Sequence, residues 1–245
     1  MHSILIIGQS NMCGRGFKEE VDPIINDKLF VLRNGLWRDM YVPVNPDRKG
    51  SGISLVESFA DLYSKDHNVD VGIIPCADGG TSLEQWQVGG LLFDHACYMA
   101  ELASRTSDIV AVLWHQGEAD CKPEKYPVYK ENLAIIFEAL RERLNLHDVP
   151  FLVGGLGDFL EKYFSCDIHV NVNNALKEYA DENEMCGFVS AEGLTSNRDN
   201  LHFCSASLRV FGERYYKEFK KLENKKKVFA EKTLYQQETT DMERL

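Results

Sequence analysis

The sequence has no long hydrophobic run. None of its apolar stretches approaches the roughly 18 residues that a membrane-spanning helix needs. The first stretch begins within five residues of the start and lacks the charged segment that precedes it in a signal peptide. Positive charge is also scarce, because 27 lysines and arginines face 38 aspartates and glutamates, for a net charge of −11. Since phosphate backbones and anionic lipids attract basic proteins, we expect neither a nucleic acid nor a membrane as a partner.

The seven cysteines include no Cys-x-x-Cys pair, and their odd number does not suit a complete set of disulfides. We therefore expect reduced thiols and a cytoplasmic protein. A cluster of metal-ligand types occurs at His115, Glu118, Asp120 and Cys121, but its spacing fits no common set of metal ligands. We expect neither a metal nor an organic cofactor.

Three widespread motifs are absent as well. No Gly-x4-Gly-Lys-Ser/Thr segment occurs, and Gly14-x-Gly16 lacks the third glycine of a dinucleotide-binding turn. The segment Gly8-x-Ser10-x-Met12 lacks the second glycine of the nucleophile elbow. These absences argue against P-loop enzymes, dinucleotide-dependent enzymes and hydrolases of the elbow type.

Short apolar runs alternate with segments of helical periodicity along the chain. The runs predict five core strands, at residues 4–7, 69–75, 109–114, 151–156 and 187–191. Strands that alternate with helices form a parallel sheet covered on both faces. We therefore predict a flavodoxin-like three-layer α/β sandwich with a five-stranded, mostly parallel sheet. The pair Asn34-Gly35 favours a type I′ turn and predicts a small accessory hairpin beside it.

The length of 245 residues suits one domain. Apolar content falls and charge dominates near the end of the chain. We therefore predict a domain at 1–222 and a charged tail at 223–245, either exposed or a frayed helix.

Polar or glycine-rich loops follow four of the predicted strands. They contain Ser10, the pair Gly79-Gly80, Gln116 and the segment Asp199-Asn200-Leu201-His202. Because the carboxyl ends of parallel strands meet at one edge, these loops can converge there. A hydroxyl, an imidazole, a carboxylate and N–H donors are the groups that acyl transfer needs. Alone, Ser10 would more often be a helix cap and His202 a solvent-facing histidine; together they favour catalysis.

Four blocks of the sequence resemble those of the SGNH hydrolases, and more narrowly those of the sialate O-acetylesterase-like domain of family six carbohydrate esterases. They occur in the family's order, and the resemblance extends from Ile4 to about Phe219. The blocks are Gly8-Gln9-Ser10-Asn11-Met12-x-Gly14-Arg15-Gly16, Gly79-Gly80-Thr81, Trp114-His115-Gln116-Gly117-Glu118-x-Asp120 and Asp199-x-x-His202-Phe203.

The resemblance implies a role for each matching position. Ser10 would be the nucleophile, His202 the general base and then acid, and Asp199 the residue that orients His202. The oxyanion donors would be the Ser10 N–H, the N–H of Gly79 or Gly80, and the Gln116 side chain. The wider SGNH group has an asparagine where this chain has Gln116, so its loop must lie about one bond further back.

Several residues keep two interpretations. Glu118 is either an alternative carboxylate for His202 or a buried carboxylate hydrogen-bonded to its own loop. Arg15 either binds substrate oxygen or pairs with an acid such as Asp39. Trp86 either forms the floor of the substrate pocket or packs in the core. Gln9 and Asn11 are further candidates for substrate binding, and His115 is expected to be structural.

Together with the resemblance, these observations predict a serine esterase that hydrolyses short acyl esters of carbohydrates, above all O-acetyl esters, through an acyl-serine intermediate. Its substrate would be a small-molecule or oligosaccharide acetyl ester. One alternative is a generic short-chain esterase or lysophospholipase-type SGNH hydrolase, which its preference for acyl length would reveal. Another is a catalytically silent carbohydrate-binding relative, which is disfavoured because no residue of the Ser-His-Asp set is missing. The sequence does not define the oligomeric state.

Overall fold

The computed structural model describes residues 1–242, with side chains up to Lys225. Its centre is one sheet with the strand order β3-β2-β4-β1-β5-β6-β7. All neighbouring strands are parallel except β2 and β3. The strands are β1 His2–Gly8, β2 Leu29–Arg33, β3 Leu36–Asp39, β4 Val71–Pro75, β5 Asp108–His115, β6 Phe151–Gly154 and β7 Cys186–Val189.

The mostly parallel α/β sandwich is confirmed, but the predicted number of five strands is wrong. The hairpin joins the sheet because β2 pairs in parallel with β4, with Leu29 opposite Val71. Its turn is as predicted, with φ angles of 49° at Asn34 and 76° at Gly35. An isolated hairpin is marginally stable in water, and in the sheet Leu29, Val31 and Leu32 of β2 are buried.

Helices cover both faces of the sheet. In the described part of the chain they are α1 Ser10–Cys13, α2 Val56–His67, α3 Leu91–Ala103, α4 Tyr129–Leu144, α5 Leu160–Phe164, α6 His169–Glu182 and α7 Ser205–Met242. Side chains of β1 alternate between two cores, because successive residues of a strand point to opposite faces. Leu5 and Ile7 join the core under α3, α4 and α6, whereas Ile4 and Ile6 join the core under α2 and α7.

Strand β1 ends at a glycine for a steric reason. Gly8 has a φ of +127°, and a Cβ there would lie 2.2 Å from the carbonyl oxygen of His115. A side chain is therefore excluded, and the next residue, Gln9, donates its N–H to that same oxygen at 2.8 Å. This contact holds the end of β1 against the end of β5, where the predicted catalytic loops begin.

Helix α7 continues through the start of the predicted tail, to Met242. The side chains after Lys225 and residues 243–245 lie outside the described part, so the division at residue 222 stays a prediction. Within residues 1–242, no helix combines the length and the apolar character that crossing a membrane requires.

Candidate active site

Ser10 lies where β1 passes into α1. It is the first residue of that helix and 6% exposed, and the N–H groups of Met12 and Cys13 donate to the carbonyl of Gln9 at 2.9 and 3.0 Å. The N–H of Ser10 belongs to the first turn, where a helix has no internal acceptor for it. The hydroxyl and its own N–H therefore occupy the same end of a short helix.

Two predicted partners of Ser10 reach it from the loop that follows β7. The Nε2 atom of His202 lies 2.9 Å from the Ser10 hydroxyl oxygen, and its Nδ1 atom lies 2.7 Å from Asp199 Oδ2. The structure thus brings together, in one hydrogen-bonded chain, residues 192 positions apart. This is the geometry that a serine, a base and an orienting carboxylate require.

The loop is shaped so that Asp199 faces His202. The other carboxylate oxygen of Asp199 accepts the N–H groups of Leu201 and His202 at 2.9 and 3.0 Å. Burial alone would raise the pKa of Asp199, but these backbone hydrogen bonds and the contact with His202 outweigh it and lower the pKa below its usual value. Asp199 is therefore held as a carboxylate.

Asn11 fixes this loop against α1. Its side chain accepts the N–H of Phe203 at 3.1 Å and donates to the carbonyl of Leu201 at 3.2 Å. It also donates to Glu118 Oε1 at 2.5 Å. Asn11 is predicted as a candidate substrate ligand, but its buried side chain is occupied by three protein contacts, two of which hold the residues on either side of His202.

Glu118 has no hydrogen bond to His202 among the described residues; Asp199 makes that contact. Glu118 Oε1 accepts a hydrogen bond from the side chain of Asn11, whereas the sequence predicts a bond to the backbone of its own loop. The same oxygen lies 3.7 Å from His115 Nδ1. Glu118 Oε2 is buried without a protein partner in the described part. Burial lowers the pKa of His115, which packs edge-on against Phe203. The position of His115 agrees with the structural role expected for it.

The glycine loop after β4 is anchored by a buried ion pair. Arg15 binds Asp47 through two hydrogen bonds of 2.9 and 2.6 Å, so it does pair with an acid, which is Asp47 rather than Asp39. Asp47 also accepts the Gly79 N–H at 3.0 Å. The Gly80 N–H has no acceptor among residues 1–225, and Gly80 lines the cavity beside Ser10.

Gln116 is fully buried and its amide group is occupied. Its Nε2 donates to Asp120 Oδ2 at 2.6 Å, to the Thr81 carbonyl at 2.9 Å and to Gln9 Oε1 at 3.2 Å. Tyr129 donates its hydroxyl to Gln116 Oε1 at 3.0 Å. The two amide protons predicted to face an oxyanion therefore already have three protein acceptors.

At Gln9, by contrast, the protein contacts involve the oxygen of the side-chain amide. Its Oε1 accepts from Gln116 and, at 3.4 and 3.5 Å, from the N–H groups of Ala119 and Gly117. Gln9 also lines the cavity next to Ser10. The Nε2 group on the other branch of the amide has no hydrogen-bond acceptor among the described side chains and backbone groups, so Gln9 has a donor available at the cavity.

The cavity in front of Ser10 has a volume of about 440 Å³. Trp86 has no surface on it: this residue is fully buried, donates to Thr81 Oγ1 at 3.1 Å and packs against Trp114. The lining residues are Gln9, Ser10, Arg15, Arg48, Gly80, Glu118, Ala119, Lys122, Tyr163, Phe164, Leu201 and His202.

Six lining residues are not among the predicted site residues: Arg48, Ala119, Lys122, Tyr163, Phe164 and Leu201. Tyr163 and Phe164 belong to the short helix α5, and their rings meet edge to face at 5.0 Å. The adjacent aromatic pair is visible in the sequence, but no periodic pattern places it near Ser10. No group of three or more histidines, cysteines, aspartates or glutamates with a geometry for metal binding occurs among the described residues.

The fold and the site together define a class: an α/β protein with a Ser-His-Asp hydrogen-bonded chain at the carboxyl edge of a parallel sheet. Comparison with known families is more specific. The chain belongs to the carbohydrate esterases described as sialic acid-specific acetylesterases, whose family profile matches residues 1–221. It is thus a carboxylic ester hydrolase that acts on acetyl groups of carbohydrates.

Individual relatives agree with this assignment. A probable carbohydrate esterase of Arabidopsis thaliana is 28% identical over 224 residues, which cover 81% of this chain and 82% of the relative. A crystal structure of an Arabidopsis thaliana protein superimposes with a TM-score of 0.80 at 25% identity, covering 89% and 97% of the two chains.

Two further structures share the fold at lower identity. A carbohydrate acetylesterase of Xanthomonas citri gives a TM-score of 0.67 at 17% identity, covering 88% of this chain and 55% of that one. NanS gives a TM-score of 0.69 at 15% identity, covering 91% of this chain and 98% of that one.

Proposed function

We propose that this esterase removes O-acetyl groups from sugars through an acetyl-Ser10 intermediate. The observation that carries the proposal is the chain of contacts Ser10–His202–Asp199, of 2.9 and 2.7 Å, which opens on a cavity. His202 Nε2 takes the hydroxyl proton of Ser10 as the serine oxygen attacks the carbonyl carbon of the acetyl group. It then gives that proton to the departing sugar oxygen, which leaves as a hydroxyl. Water repeats the two steps and releases acetate.

The charge on Asp199 supports the proposed role of His202. A carboxylate at Nδ1 stabilises the imidazolium that forms in each step and keeps the proton of neutral His202 on Nδ1. Nε2 is then free to accept the serine proton. Glu118, which faces Asn11, has no such contact, and we assign the orienting role to Asp199.

For the oxyanion we propose three donors: the N–H groups of Ser10 and Gly80 and the side-chain Nε2 of Gln9. Gly80 is preferred to Gly79, whose N–H is bound to Asp47. Gln9 replaces Gln116 in this role, because the Gln116 amide donates to Asp120 and Thr81. Donors that are fixed before the reaction stabilise the developing charge without further reorganisation.

The alcohol side of the ester is proposed to contact α5. Tyr163 is 49% exposed and lines the cavity together with Phe164, so an aromatic surface is open to a ligand bound at Ser10. The carbon-bound hydrogens of a sugar ring pack on such surfaces. The charge of Arg15 is offset by Asp47, and Arg48 lies 3.1 Å from the same carboxylate and 3.8 Å from that of Asp78. This pairing favours a substrate bound through hydroxyl groups.

A cytoplasmic location stays a prediction. All seven cysteines are unpaired, as in reducing compartments. This setting favours a small or imported acetyl ester over a polymer.

Acetate release from a panel of O-acetylated sugars tests the function. The panel should include acetylated sialic acid, acetylated xylo-oligosaccharides and acetylated monosaccharides, beside nitrophenyl esters of increasing acyl length. We expect acetyl esters of sugars to have the highest kcat/KM. A preference for long acyl chains would instead indicate a lysophospholipase-type enzyme, and binding without turnover would indicate a silent carbohydrate-binding protein.

A further inference from the structure

Asp120 lies behind the oxyanion donors and has no surface on the cavity at Ser10. This carboxylate is 4% exposed, and its Oδ2 accepts from Gln116 Nε2 at 2.6 Å and from the Leu83 N–H at 3.0 Å. We propose that Asp120 is a positioning residue: it fixes the amide of Gln116, which in turn fixes the amide of Gln9 with Nε2 toward the acyl oxygen. The inference rests on the oxyanion role proposed for Gln9.

The first step of this relay is the orientation of Gln116. The two ends of a side-chain amide have nearly the same size, so neighbouring donors and acceptors decide which end points where. With the amide reversed, Gln116 Oε1 would lie about 2.6 Å from Asp120 Oδ2 and about 2.9 Å from the Thr81 carbonyl, by exchange with the observed Nε2 contacts. Both contacts would join two acceptors. The Tyr129 hydroxyl does not discriminate, since it can donate or accept.

The second step is the orientation of Gln9. Gln116 makes the shortest of the three contacts to Gln9 Oε1, at 3.2 Å; the backbone donors Ala119 and Gly117 lie at 3.4 and 3.5 Å. A reversed Gln116 would place an oxygen against that oxygen. Gln9 would then turn its own Nε2 toward Gln116, and the cavity would lose a donor.

A single acceptor oxygen suffices for this task. Asp120 Oδ2 receives both donors, while Oδ1 lies 4.0 Å from Lys125 Nζ. An asparagine at this position retains one acceptor oxygen, whereas an alanine retains none. The two substitutions therefore separate an acceptor role from a role of the charge.

The test measures kcat and KM for nitrophenyl acetate in a double-mutant cycle with Gln9→Ala. Removing one oxyanion donor costs on the order of 100-fold in kcat, and disordering it should cost part of that. We expect Asp120→Ala to lower kcat by about 10- to 100-fold with KM within about twofold, and Asp120→Asn to keep kcat within about threefold. In the Gln9→Ala background, Asp120→Ala should change kcat by less than about twofold.

The control is Glu57→Gln, which alters another fully buried carboxylate, bound to Arg209 at 2.6 Å and not part of the cavity. It should change kcat little, whatever it does to stability. If Asp120→Ala fails to fold, Gln116→Met in the same two backgrounds makes the same comparison, because it removes the donor to Gln9. The relay would be overturned if Asp120→Ala lowered kcat by the same factor in the wild-type and Gln9→Ala backgrounds. It would also be overturned if Asp120→Ala and Asp120→Asn lowered kcat equally. A normal kcat for Gln9→Ala itself would instead contradict the proposed oxyanion donor.

Discussion

Replacing Asp199 by asparagine exchanges one carboxylate oxygen for an NH₂ group and leaves the shape of the site intact. In the protein, one carboxylate oxygen accepts the N–H groups of Leu201 and His202, and the other contacts His202 Nδ1. The asparagine oxygen must take the first position, because the backbone offers only donors there. Its NH₂ group would then face Nδ1 and force the proton of His202 onto Nε2. A histidine in that tautomer is unable to accept the serine proton.

The expected loss follows from this tautomer change. Losing the base in its competent form, together with the charge that stabilises the imidazolium, lowers kcat by roughly 10³- to 10⁴-fold in serine hydrolases. That corresponds to about 4–5 kcal/mol of transition-state stabilisation. KM should change little, because Asp199 does not line the cavity that holds Ser10. Folding should be retained, since the two backbone hydrogen bonds remain.

The matched control is Glu118→Gln, measured with nitrophenyl acetate and with an acetylated sugar. Its amide oxygen still accepts from Asn11, so we expect a loss of kcat below about tenfold. A larger loss for Glu118→Gln than for Asp199→Asn would refute the assignment of Asp199 as the residue that orients the histidine.

Three other substitutions give distinct results. Asn11→Ala leaves the Phe203 N–H without its acceptor and should lower the free energy of unfolding by about 1–3 kcal/mol in a denaturant titration; unchanged stability and kcat would contradict the positioning role. Tyr163→Ala should raise KM for an acetylated sugar about three- to tenfold and leave KM for ethyl acetate unchanged; equal shifts would remove Tyr163 from the sugar side. Burial opposes ionisation of Asp47, but hydrogen bonds and the charge of Arg15 lower its pKa to about 2. Its stabilising effect is therefore present above about pH 4 and lost as the pH falls toward 2. The stability difference between wild type and Asp47→Asn should shrink by about 2 kcal/mol over that range; a constant difference would argue against the ion pair.

Much of the architecture follows from hydrophobic pattern alone. Runs such as Ile4–Ile7 predict buried parallel strands because apolar side chains face both ways, and both faces are covered by helices. The hydrophobic pattern does not predict how an element that is local in sequence pairs with strands distant in sequence. The hairpin at 29–39 looks self-contained, and only the parallel pairing of β2 with β4 shows that it extends the sheet.

The contacts of the site likewise divide into those that the sequence can predict and those that it cannot. Asp199 and His202 lie three residues apart on one loop, so their contact is a local matter that sequence can predict. The proposed exchange of roles between Gln9 and Gln116 is not local, because it depends on which acceptors surround each amide. For Gln116 these acceptors are Asp120 and Thr81, and Thr81 lies 35 positions away. Neither residue type nor spacing contains that information.

The central claim is that Ser10 attacks the ester. The most direct measurement is the rate of acetate release by Ser10→Ala, compared with wild type on the best sugar acetate, with folding checked by circular dichroism and the unfolding midpoint. The account predicts an unchanged fold and a loss of kcat of at least about 10⁴-fold, since a serine hydrolase without its nucleophile retains only binding and the oxyanion donors. A folded variant that keeps kcat within tenfold of wild type would contradict it.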